Sequence, residues 1–543
     1  MNAEQQYSRL DIAFSRFLSQ RTLFDNKQKI EFEILCAELS YQQSQGHSCI
    51  HVDASAQKLI LASGLASKHD LSPLILEQNR LYLHRYWLYE NRLALAIQKL
   101  LAQTYSSKDL ELLLNRYFIK LIDETDWQRE AALKAISLAF CIISGGPGTG
   151  KTTTVVKILA LLQELALKQG APLHIALAAP TGKAAMRLQE SIGSSKNTLP
   201  CSETIKNLIP ETVTTIHRLL GSRPPSPYFK HDSAHPLAYD LVVIDEASMV
   251  DLALMSKLVD ALKPESRFIL LGDKDQLASV ESGAVLADLT AALPEHTVEL
   301  KKSYRFHGDI KVLSEAVNHQ LIDDAWKILE KNSPEVALLE QDLIDFAAKQ
   351  YTPYLDEIKN SGDFNTILTS FSQFQILCSN RLGTYGVVEI NKRIEELLAR
   401  QNKIQITGQW YVGRPIMVIQ NNASMQLYNG DIGICLYDSQ TGKNTVFFLR
   451  SDGSIKKILP SRVPAHETVF AMTIHKSQGS EFDECLCVLA DKINPVLTKE
   501  LIYTAITRAK KRLQILSSYS VFSQTLQQKV VRSGGLLEKL TGK

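Results

Sequence analysis

The sequence has little of what membrane, secreted or repetitive proteins require. Its 543 residues contain no apolar run near the roughly 18 residues that span a membrane. Residues 1–6 show neither the basic cluster nor the apolar stretch of a secretory signal. Glycine (26) and proline (18) follow no fixed repeat, which excludes collagen-like and low-complexity proteins. Since 45% of the residues are hydrophobic, we expect a cytoplasmic protein of several packed domains.

Metal-binding spacings are also missing from the sequence. The eight cysteines form no CxxC pair and the 13 histidines form no HExxH pattern, so we expect no zinc or iron–sulfur site. Scattered single cysteines are typical of a reducing cytosol. The net charge of +2 neither requires nor excludes a nucleic-acid partner, because a local basic groove is enough to bind DNA.

The residue pattern changes near residue 125. Residues 1 to about 115 are predicted to be mainly helical, with apolar residues at helical spacing between 86 and 100. Beyond them, short β-rich runs alternate with helical patterns, which predicts an α/β fold with parallel sheets and crossover helices. The predicted strands are residues 140–143, 174–179, 241–244, 268–271, 374–378 and 484–489.

Two insertions interrupt this α/β pattern. Short strands separated by turns, including Asn429-Gly430-Asp431, predict a small antiparallel barrel over residues 405–470. The proline-rich residues 221–236 predict a loop or short hairpin. The predicted domains are a helical N-terminal domain (1–115), a first α/β domain (116–300), a second α/β domain (301–404 and 471–543) and the barrel (405–470).

Residues 145–152 match the phosphate-binding pattern GxxxxGK[ST] between a predicted strand and a predicted helix. In such a loop, backbone N–H groups turn toward phosphate oxygens and the following helix adds its positive end. Lys151 is long enough to reach the β- and γ-phosphates, and the Thr152 hydroxyl can ligate Mg²⁺. The candidate ATP-binding residues here are Gly145, Gly146, Pro147, Gly148, Thr149, Gly150, Lys151, Thr152 and Thr153.

Two acidic residues follow the apolar strand 241–244. Asp245 and Glu246 would lie at its carboxyl end, the edge at which parallel sheets bind ligands. Asp245 would hold Mg²⁺ through water, and Glu246 would polarise the attacking water. These residues predict hydrolysis of a nucleoside triphosphate. A site between two domains also requires a positive charge from the second domain, for which Arg305 and Arg508 are the candidates.

The order of short motifs between residues 127 and 509 resembles that of superfamily 1 helicases. The matching segments are residues 127–129, 179–185, 215–220, 271–276, 303–305, 473–482 and 503–509. The resemblance implies two RecA-like domains with ATP between them, and catalytic roles for Lys151, Asp245, Glu246, Gln276, Arg305 and Arg508. It also implies that Gln128 contacts the adenine and that Gln276 senses the γ-phosphate. Gly479 and Glu481 would complete the ATP site. The DNA contacts that it implies are Pro180, Thr181, Thr215, His217, Thr473 and His475.

Within the superfamily, residues 179–185 resemble the 5′→3′ branch (1B), whose SH3-like insertion the predicted barrel also resembles. Segments 81–87, 216–221 and 245–251 resemble the RecD family, the α subunits of exodeoxyribonuclease V (RecBCD). This implies a helicase subunit of a helicase–nuclease complex that processes double-strand DNA ends for recombinational repair. ATP and Mg²⁺ would be its cofactors.

The implied partners are single-stranded and duplex-end DNA and RecB-like and RecC-like subunits, with no membrane partner. Residues 1–115 would dock on the RecC-like subunit, and a nuclease centre is expected in another subunit.

Other interpretations stay open. A standalone RecD-like helicase would share these motifs, although the compact N-terminal region favours a subunit. A P-loop ATPase that acts on proteins would not need segments 179–185 and 473–482. The track could be RNA. Aromatic residues between 82 and 89 could stack bases but are more often helix core, and residues 221–236 could hold a side chain such as Phe229 as a strand-separating wedge.

Overall fold

The computed structural model describes residues 7–67, 71–105, 110–118, 125–302, 304, 308–360, 362–422, 424–450 and 453–542. The α-helices of these residues are α1 (Arg9–Ser19), α2 (Asn26–Ser44), α3 (Ala54–Ala62), α4 (His84–Leu101), α5 (Leu110–Tyr117), α6 (Trp127–Ser137), α7 (Lys151–Lys168), α8 (Gly182–Asn197), α9 (Glu203–Leu208), α10 (Ile216–Leu220), α11 (Leu252–Asp260), α12 (Val285–Ala292), α13 (Asp309–Asn318), α14 (Ile322–Glu330), α15 (Leu343–Gln350), α16 (Thr352–Lys359), α17 (Phe364–Ser372), α18 (Val387–Arg400), α19 (Lys499–Ile506), α20 (Tyr519–Gln527) and α21 (Leu536–Thr541).

The strands of the same residues are β1 (Cys49–His51), β2 (Ala66–Ser67), β3 (Leu74–Glu77), β4 (Arg80–Leu83), β5 (Phe140–Ser144), β6 (Ile175–Ala179), β7 (Val213–Thr215), β8 (Leu241–Ile244), β9 (Arg267–Gly272), β10 (Thr297–Glu299), β11 (Val336–Leu338), β12 (Phe374–Cys378), β13 (Arg414–Val418), β14 (Ile432–Asp438), β15 (Lys443–Leu449), β16 (Ile455–Ile458), β17 (His466–Thr468), β18 (Ala471–Thr473), β19 (Phe482–Val488) and β20 (Ala509–Leu516).

The N-terminal region is mainly helical, which confirms the prediction, but it also contains a small sheet that was not predicted. Its strand order is β1-β4-β3-β2, and β3 and β4 form an antiparallel hairpin. The turn of this hairpin is Gln78-Asn79, with Gln78 in the left-handed region at φ 54°. Because this turn lacks the glycine that usually marks such hairpins, the two short apolar runs could not be distinguished from helix.

Helix α4 confirms the predicted helix at residues 86–100 and joins the N-terminal region to the rest of the molecule. Tyr86, Leu93 and Ile97 on its buried face pack into the core on one side of the first parallel sheet. Tyr82 and Tyr86 are both buried, as the interpretation of these aromatic residues as core requires. The boundary near residue 115 stays a prediction, since α4 belongs by its packing to the core that follows.

Two parallel sheets form the body of the molecule. The first has the strand order β10-β5-β9-β8-β6-β7, and the second has the order β11-β20-β19-β12-β18. Every pairing in both sheets is parallel. Strands β5, β6, β8 and β12 are buried along their whole length, as expected of apolar strands covered by helices on both faces. The predicted α/β class and these strands are therefore confirmed.

An antiparallel sheet lies between two strands of the second parallel sheet in the sequence. Its order is β16-β15-β14-β13-β17, and it has a small core that includes Ile416, Cys435 and Phe448. The predicted turn contains Gly430 at φ 95°, a conformation that favours glycine. Residues 221–236 form a loop in which Ser222 and Phe229 make one isolated antiparallel bridge. No helix in the described part of the chain is long and apolar enough to cross a membrane.

Candidate nucleotide site

The order of strands in the first sheet brings the predicted site residues to one edge. All its strands are parallel, so their carboxyl ends lie together. The glycine-rich loop follows β5, Asp273 follows β9, Asp245 follows β8, Thr181 follows β6 with one residue between, and Thr215 ends β7. Along this edge the nucleotide candidates lie at the centre and the DNA candidates lie toward the β7 side.

The glycine-rich loop is shaped by its own hydrogen bonds. Gly148 and Gly150 adopt φ values of 78° and 82°, and the Thr149 hydroxyl donates to the Gly146 carbonyl at 2.8 Å. Lys151, the first residue of α7, donates from Nζ to the carbonyls of Gly145 (2.6 Å) and Gly146 (3.1 Å). The lysine ammonium is therefore held over the loop, where a phosphate group would bind.

Gln128 lies against the same loop. Its Nε2 is 3.5 Å from the Thr149 carbonyl, and a Cβ atom at Gly150 would approach that nitrogen to 2.7 Å. Gln128 also lines a small cavity of about 20 Å³ together with Trp127 and Tyr304. The backbone conformation at position 150 therefore favours glycine, and a larger residue there would also displace the Gln128 side chain.

Asp245 and Glu246 lie beside each other at the end of β8. The Asp245 N–H donates to the Ala178 carbonyl at 2.9 Å, and Glu246 adopts a left-handed conformation at φ 51°. Burial, followed by the neighbouring Glu246 charge, raises the pKa of Asp245 to about 6, while the Lys151 charge opposes this shift. Two close carboxylates with an oxygen-donor neighbour such as Thr152 suit a hard divalent cation such as Mg²⁺.

A cleft of about 620 Å³ joins these elements to the second parallel sheet. The predicted residues that line it are Pro147, Gly148, Gly150, Lys151, Thr152, Thr153, Asp245, Glu246, Gln276, Gly479, Glu481 and Arg508. We call the part of the molecule built on the first parallel sheet the first half and the part built on the second parallel sheet the second half. Residues from both halves therefore meet around one cavity, as a site between two domains requires.

Arg508 and Gln276 form a buried connection between the halves. Arg508 is 2% exposed and donates from Nη2 to Gln276 Oε1 at 2.9 Å. Its other nitrogens donate to the carbonyls of Ser480 and Thr504, both at 3.2 Å. The guanidinium is thus fixed at the cleft, next to the proposed γ-phosphate sensor.

The same network continues to two residues that sequence reasoning did not single out. Asp273 Oδ2 accepts hydrogen bonds from Gln276 Nε2 (3.0 Å) and from the Tyr503 hydroxyl of the second half (3.1 Å). Burial raises the pKa of Asp273 to about 6. Both residues lie inside the segments that carried the resemblance, but contacts across the cleft are not visible in a linear sequence.

Arg187 is a further residue that the sequence did not reveal. From α8 it forms an ion pair with Glu481 of the second half, with 2.6 Å between Nη2 and Oε1. Arg187 lines the cleft with Ala184, Leu188 and Ser191, which share one helix face. This helical spacing continues from segment 179–185. It was the sequence signal that could have placed Arg187 at the cleft.

Arg305 lies outside the described residues, so its role stays a prediction. The neighbouring Tyr304 donates its N–H to the Gly148 carbonyl at 2.8 Å and lines the cleft. Residue 304 therefore approaches the glycine-rich loop directly.

Three candidate DNA-contacting threonines share one local structure. Thr181, Thr215 and Thr473 each precede a helical turn, and their hydroxyls accept from the N–H groups of Ala184 (3.2 Å), Arg218 (3.3 Å) and Lys476 (3.4 Å). Pro180 immediately precedes Thr181. The DNA roles of these residues stay predictions.

The two candidate histidines have different surroundings. The His217 ring packs edge-on against Phe229 at 5.8 Å between ring centres. Burial, followed by the Arg532 charge, lowers the pKa of His475, so its imidazole is neutral at physiological pH. His475 would therefore contact DNA by hydrogen bonding rather than by charge.

A second cavity, of about 270 Å³, separates α8 and β7 from the antiparallel sheet. Thr215, Arg218, Tyr428 and Arg450 line it, and the Arg218 guanidinium lies 5.7 Å from the centre of the Tyr428 ring. Cationic and aromatic side chains of this kind suit a nucleic-acid strand. Among these residues the sequence predicted a DNA contact for Thr215, and Arg218 lies in the same segment, 215–220.

Comparison with known protein families gives three matches along the chain. Residues 128–282 match a family described as an AAA domain, and residues 468–516 match the UvrD-like helicase C-terminal domain. Residues 3–68 match the N-terminal domain of RecBCD enzyme subunit RecD.

Several known proteins are similar over most of the chain. RecBCD enzyme subunit RecD of Haemophilus influenzae is 36% identical, over 86% of this chain and 81% of that protein. The protein of the same name from Mycolicibacterium smegmatis is 38% identical, over 85% of this chain and 82% of that protein. The ATP-dependent RecD2 DNA helicase of Deinococcus radiodurans is 31% identical, over 74% of this chain and 50% of that protein. Among solved structures, Bacteroides Pif1 bound to ssDNA has a TM-score of 0.40 at 17% identity, covering 73% of this chain and 93% of that one.

Proposed function

The chain belongs to the RecD family, and from that premise we propose that it is an ATP-dependent 5′→3′ DNA helicase subunit of a helicase–nuclease complex. The observation that carries the proposal is the contact of Arg508 with Gln276 beside the glycine-rich loop. A motor needs a nucleotide site that both domains complete, because hydrolysis can then change the distance between the domains.

Each residue of the cleft has a different role in hydrolysis. Lys151 binds the β- and γ-phosphates, and Glu246 orients and polarises the attacking water. Thr152 and Asp245 would hold Mg²⁺, which when bound neutralises charge on the phosphate oxygens. Arg508 stabilises the charge that develops in the transition state, with Arg305 as the second candidate cation.

Hydrolysis would be coupled to movement along DNA through the same elements. Thr181 and Thr215 lie at the carboxyl edge of the first sheet, whereas Thr473 and His475 follow β18 of the second. A strand bound to both groups would be displaced when the cleft opens or closes. Residues 473–481 connect these candidate DNA contacts with Gly479 and Glu481, which line the nucleotide cleft.

The names of the relatives suggest the assembly. Two of the similar proteins are RecBCD enzyme subunits, and we propose RecB-like and RecC-like partners for this chain. The proposed docking surface, which we call the N-terminal apolar face, consists of exposed residues on and between α1 and α2: Leu10, Phe17, Leu23, Ile30 and Ile34. Exposed apolar residues on two neighbouring helices are candidates for an interaction site.

The proposal is tested by unwinding of duplexes that carry a single-stranded tail. We expect the purified chain, without its partners, to unwind a 5′-tailed duplex and to leave a 3′-tailed duplex intact. Preference for the 3′-tailed duplex would contradict the polarity. ATPase activity that DNA does not stimulate would favour a P-loop ATPase that acts on proteins.

Lys151→Ala is the matched control for this assay. ATP hydrolysis should fall by roughly 10- to 150-fold or more, because a hydrogen bond to a charged group is worth roughly 1.5–3 kcal/mol. The fold should be retained, since among the described residues the Lys151 Nζ hydrogen bonds go to carbonyls of its own loop. Normal turnover in this variant would contradict the site.

A further inference from the structure

The last residues of the chain connect parts of the molecule that are far apart in the sequence. We call residues 528–542 the C-terminal strap. It begins in the second half, where the Lys499 N–H donates to the Gln528 carbonyl (2.9 Å) and the Val530 N–H donates to Glu500 Oε2 (3.1 Å). It ends on the N-terminal region, where Leu536 is 2% exposed in the core that α4 also enters.

Ion pairs and backbone hydrogen bonds hold the end of the strap in place. Glu538 pairs with Arg80, and Lys539 pairs with Glu77. The Ser48 N–H donates to the Ser533 carbonyl at 2.9 Å. The strap is thus fixed to the N-terminal region by residues from β3, β4 and the loop before β1.

Arg532 uses its position in the middle of the strap to hold one segment of the first half. Its Nη1 donates to the carbonyls of Glu281 and Gly283, both at 2.7 Å, and its Nη2 donates to the Ser279 carbonyl. A single guanidinium therefore fixes three carbonyls within residues 279–283. The chain also approaches Arg532 closely at Gly46, where a Cβ atom would lie 2.9 Å from its Cζ.

Residues 279–283 also contact the N-terminal region directly. The Gly283 N–H donates to the Gly46 carbonyl at 2.9 Å, and the Ser282 hydroxyl donates to the Gln43 carbonyl at 3.3 Å. The segment therefore lies between the strap on one side and the loop after α2 on the other.

The segment starts three residues after Gln276, the proposed γ-phosphate sensor. Between them, the Leu277 N–H donates to the Thr504 hydroxyl (3.0 Å) and Gln478 Nε2 donates to the Leu277 carbonyl (2.9 Å). Residues 276–283 are consequently held at their start by the second half and at their end by Arg532 and the N-terminal region. If residues 279–283 move, only residues 277 and 278 separate that movement from Gln276.

We propose that Arg532 is a positioning residue for ATP hydrolysis, which holds residues 279–283 and thereby aligns Gln276 with Arg508 in the cleft. The inference rests on the proposed function. The strap makes this alignment depend on the N-terminal region, because residues 279–283 also hydrogen-bond to Gln43 and Gly46.

The test compares Arg532→Ala and Arg532→Lys with Lys529→Ala, an exposed residue of the same strap. ATP hydrolysis is titrated with ATP in the presence of single-stranded DNA, at a temperature well below the thermal unfolding midpoint of each variant. For Arg532→Ala we expect kcat to fall by about tenfold, less than the roughly 100-fold that a 1 Å misplacement can cost. The KM for ATP should stay within about twofold, because the residues that bind the phosphates are unchanged.

Arg532→Lys should lie between the wild type and Arg532→Ala, because one ammonium can reach some but not all of the three carbonyls. Lys529→Ala should equal the wild type. Equal kcat in Arg532→Ala and the wild type would overturn the inference, as would failure of both Arg532 variants to fold, since the contact would then serve only stability. A wild type without DNA-stimulated ATPase would instead contradict the proposed function.

Discussion

The buried charge of Asp245 at the nucleotide site lowers the stability of the folded protein. Its pKa is raised to about 6 because burial and the adjacent Glu246 disfavour its negative charge. At neutral pH the folded protein therefore carries a carboxylate that would be more stable in the unfolded chain. Sites that must bind a cation and a phosphate commonly have such groups.

Asp245→Asn should therefore stabilise the metal-free protein while abolishing ATP hydrolysis. The difference between a pKa of about 6 and the ordinary 3.8 corresponds to up to about 3 kcal/mol at pH 7 and above. Asp245 binds a proton at a higher pH in the folded protein than in the unfolded chain. The free energy of unfolding of the wild type therefore rises as the pH falls through 6. The advantage of the variant should shrink between pH 7 and pH 5, as measured by thermal unfolding without divalent cations.

The control for this measurement is Asp491→Asn, at an exposed position of the second half. Its unfolding midpoint should follow that of the wild type at every pH. A variant at Asp245 that is less stable than the wild type at pH 8 would contradict the interpretation of its environment.

At the residue scale, the sequence predicted those site residues whose chemistry is local. Asp245 and Glu246 follow an apolar strand directly, and Lys151 follows one after the glycine-rich loop, so both patterns are visible without a structure. Tyr503 and Arg187 were missed because their contacts with Asp273 and Glu481 cross between the two halves. A contact between residues more than 200 positions apart leaves no spacing in the sequence.

At the scale of elements, several buried strands of the parallel sheets were predictable and their order was not. The runs that became β5, β8 and β12 are short, apolar and bounded by polar residues, which is typical of buried parallel strands. Nothing in those runs specifies that β9 lies between β5 and β8. That order places Asp273 between the glycine-rich loop and Asp245, and so it determines the polar network of the cleft.

In the loop of residues 221–236, the exposed aromatic side chain is Tyr228 and not Phe229, which the sequence had suggested. Phe229, the suggested wedge, packs against His217 and lies 5.5 Å from Lys257 Nζ. Tyr228 is 75% exposed, while Lys257 braces the loop through a 3.0 Å hydrogen bond to the Pro227 carbonyl. Tyr228 is therefore the better candidate for contact with the terminal base pair of a duplex.

Tyr228→Ala should weaken unwinding and leave single-strand-stimulated ATPase unchanged, because it removes a ring that could stack on a base pair without touching the cleft. The loss should be at least about fivefold in unwinding rate if the ring contributes the roughly 1 kcal/mol that base stacking provides. Tyr437→Ala, at a tyrosine 61% exposed on β14, is the matched control. Unwinding at the wild-type rate by the Tyr228 variant would exclude a wedge at this position.

At the scale of the whole molecule, the N-terminal region has two faces with different uses. One face, through α4, completes the core of the first parallel sheet. The other carries the N-terminal apolar face, because α1 directs Asp11 and Ser15 inward and leaves Leu10 and Phe17 exposed. Asp11 accepts a 2.6 Å hydrogen bond from the Ser40 hydroxyl of α2, so a polar contact joins the two helices beside the small core that Leu18, Phe32 and Leu39 form.

This arrangement determines how partner docking can be tested. Deleting residues 1–115 would remove Leu93 and Ile97, both fully buried, and would open the core of the first sheet. Loss of a partner after such a deletion would then report unfolding as readily as docking. Single charges placed on the N-terminal apolar face leave that core intact.

Phe17→Asp combined with Ile34→Asp should abolish co-purification with a RecC-like subunit while retaining DNA-stimulated ATPase. Both side chains are about half exposed, at 53% and 49%, so the folded chain tolerates a charge there, whereas a buried interface does not unless the charge is paired. Leu382→Asp, at a leucine 72% exposed in the second half, is the matched control and should co-purify normally. Assembly that survives the double substitution would place the docking surface elsewhere. Loss of assembly in the Leu382 variant as well would mean that added charge, rather than position, prevents it.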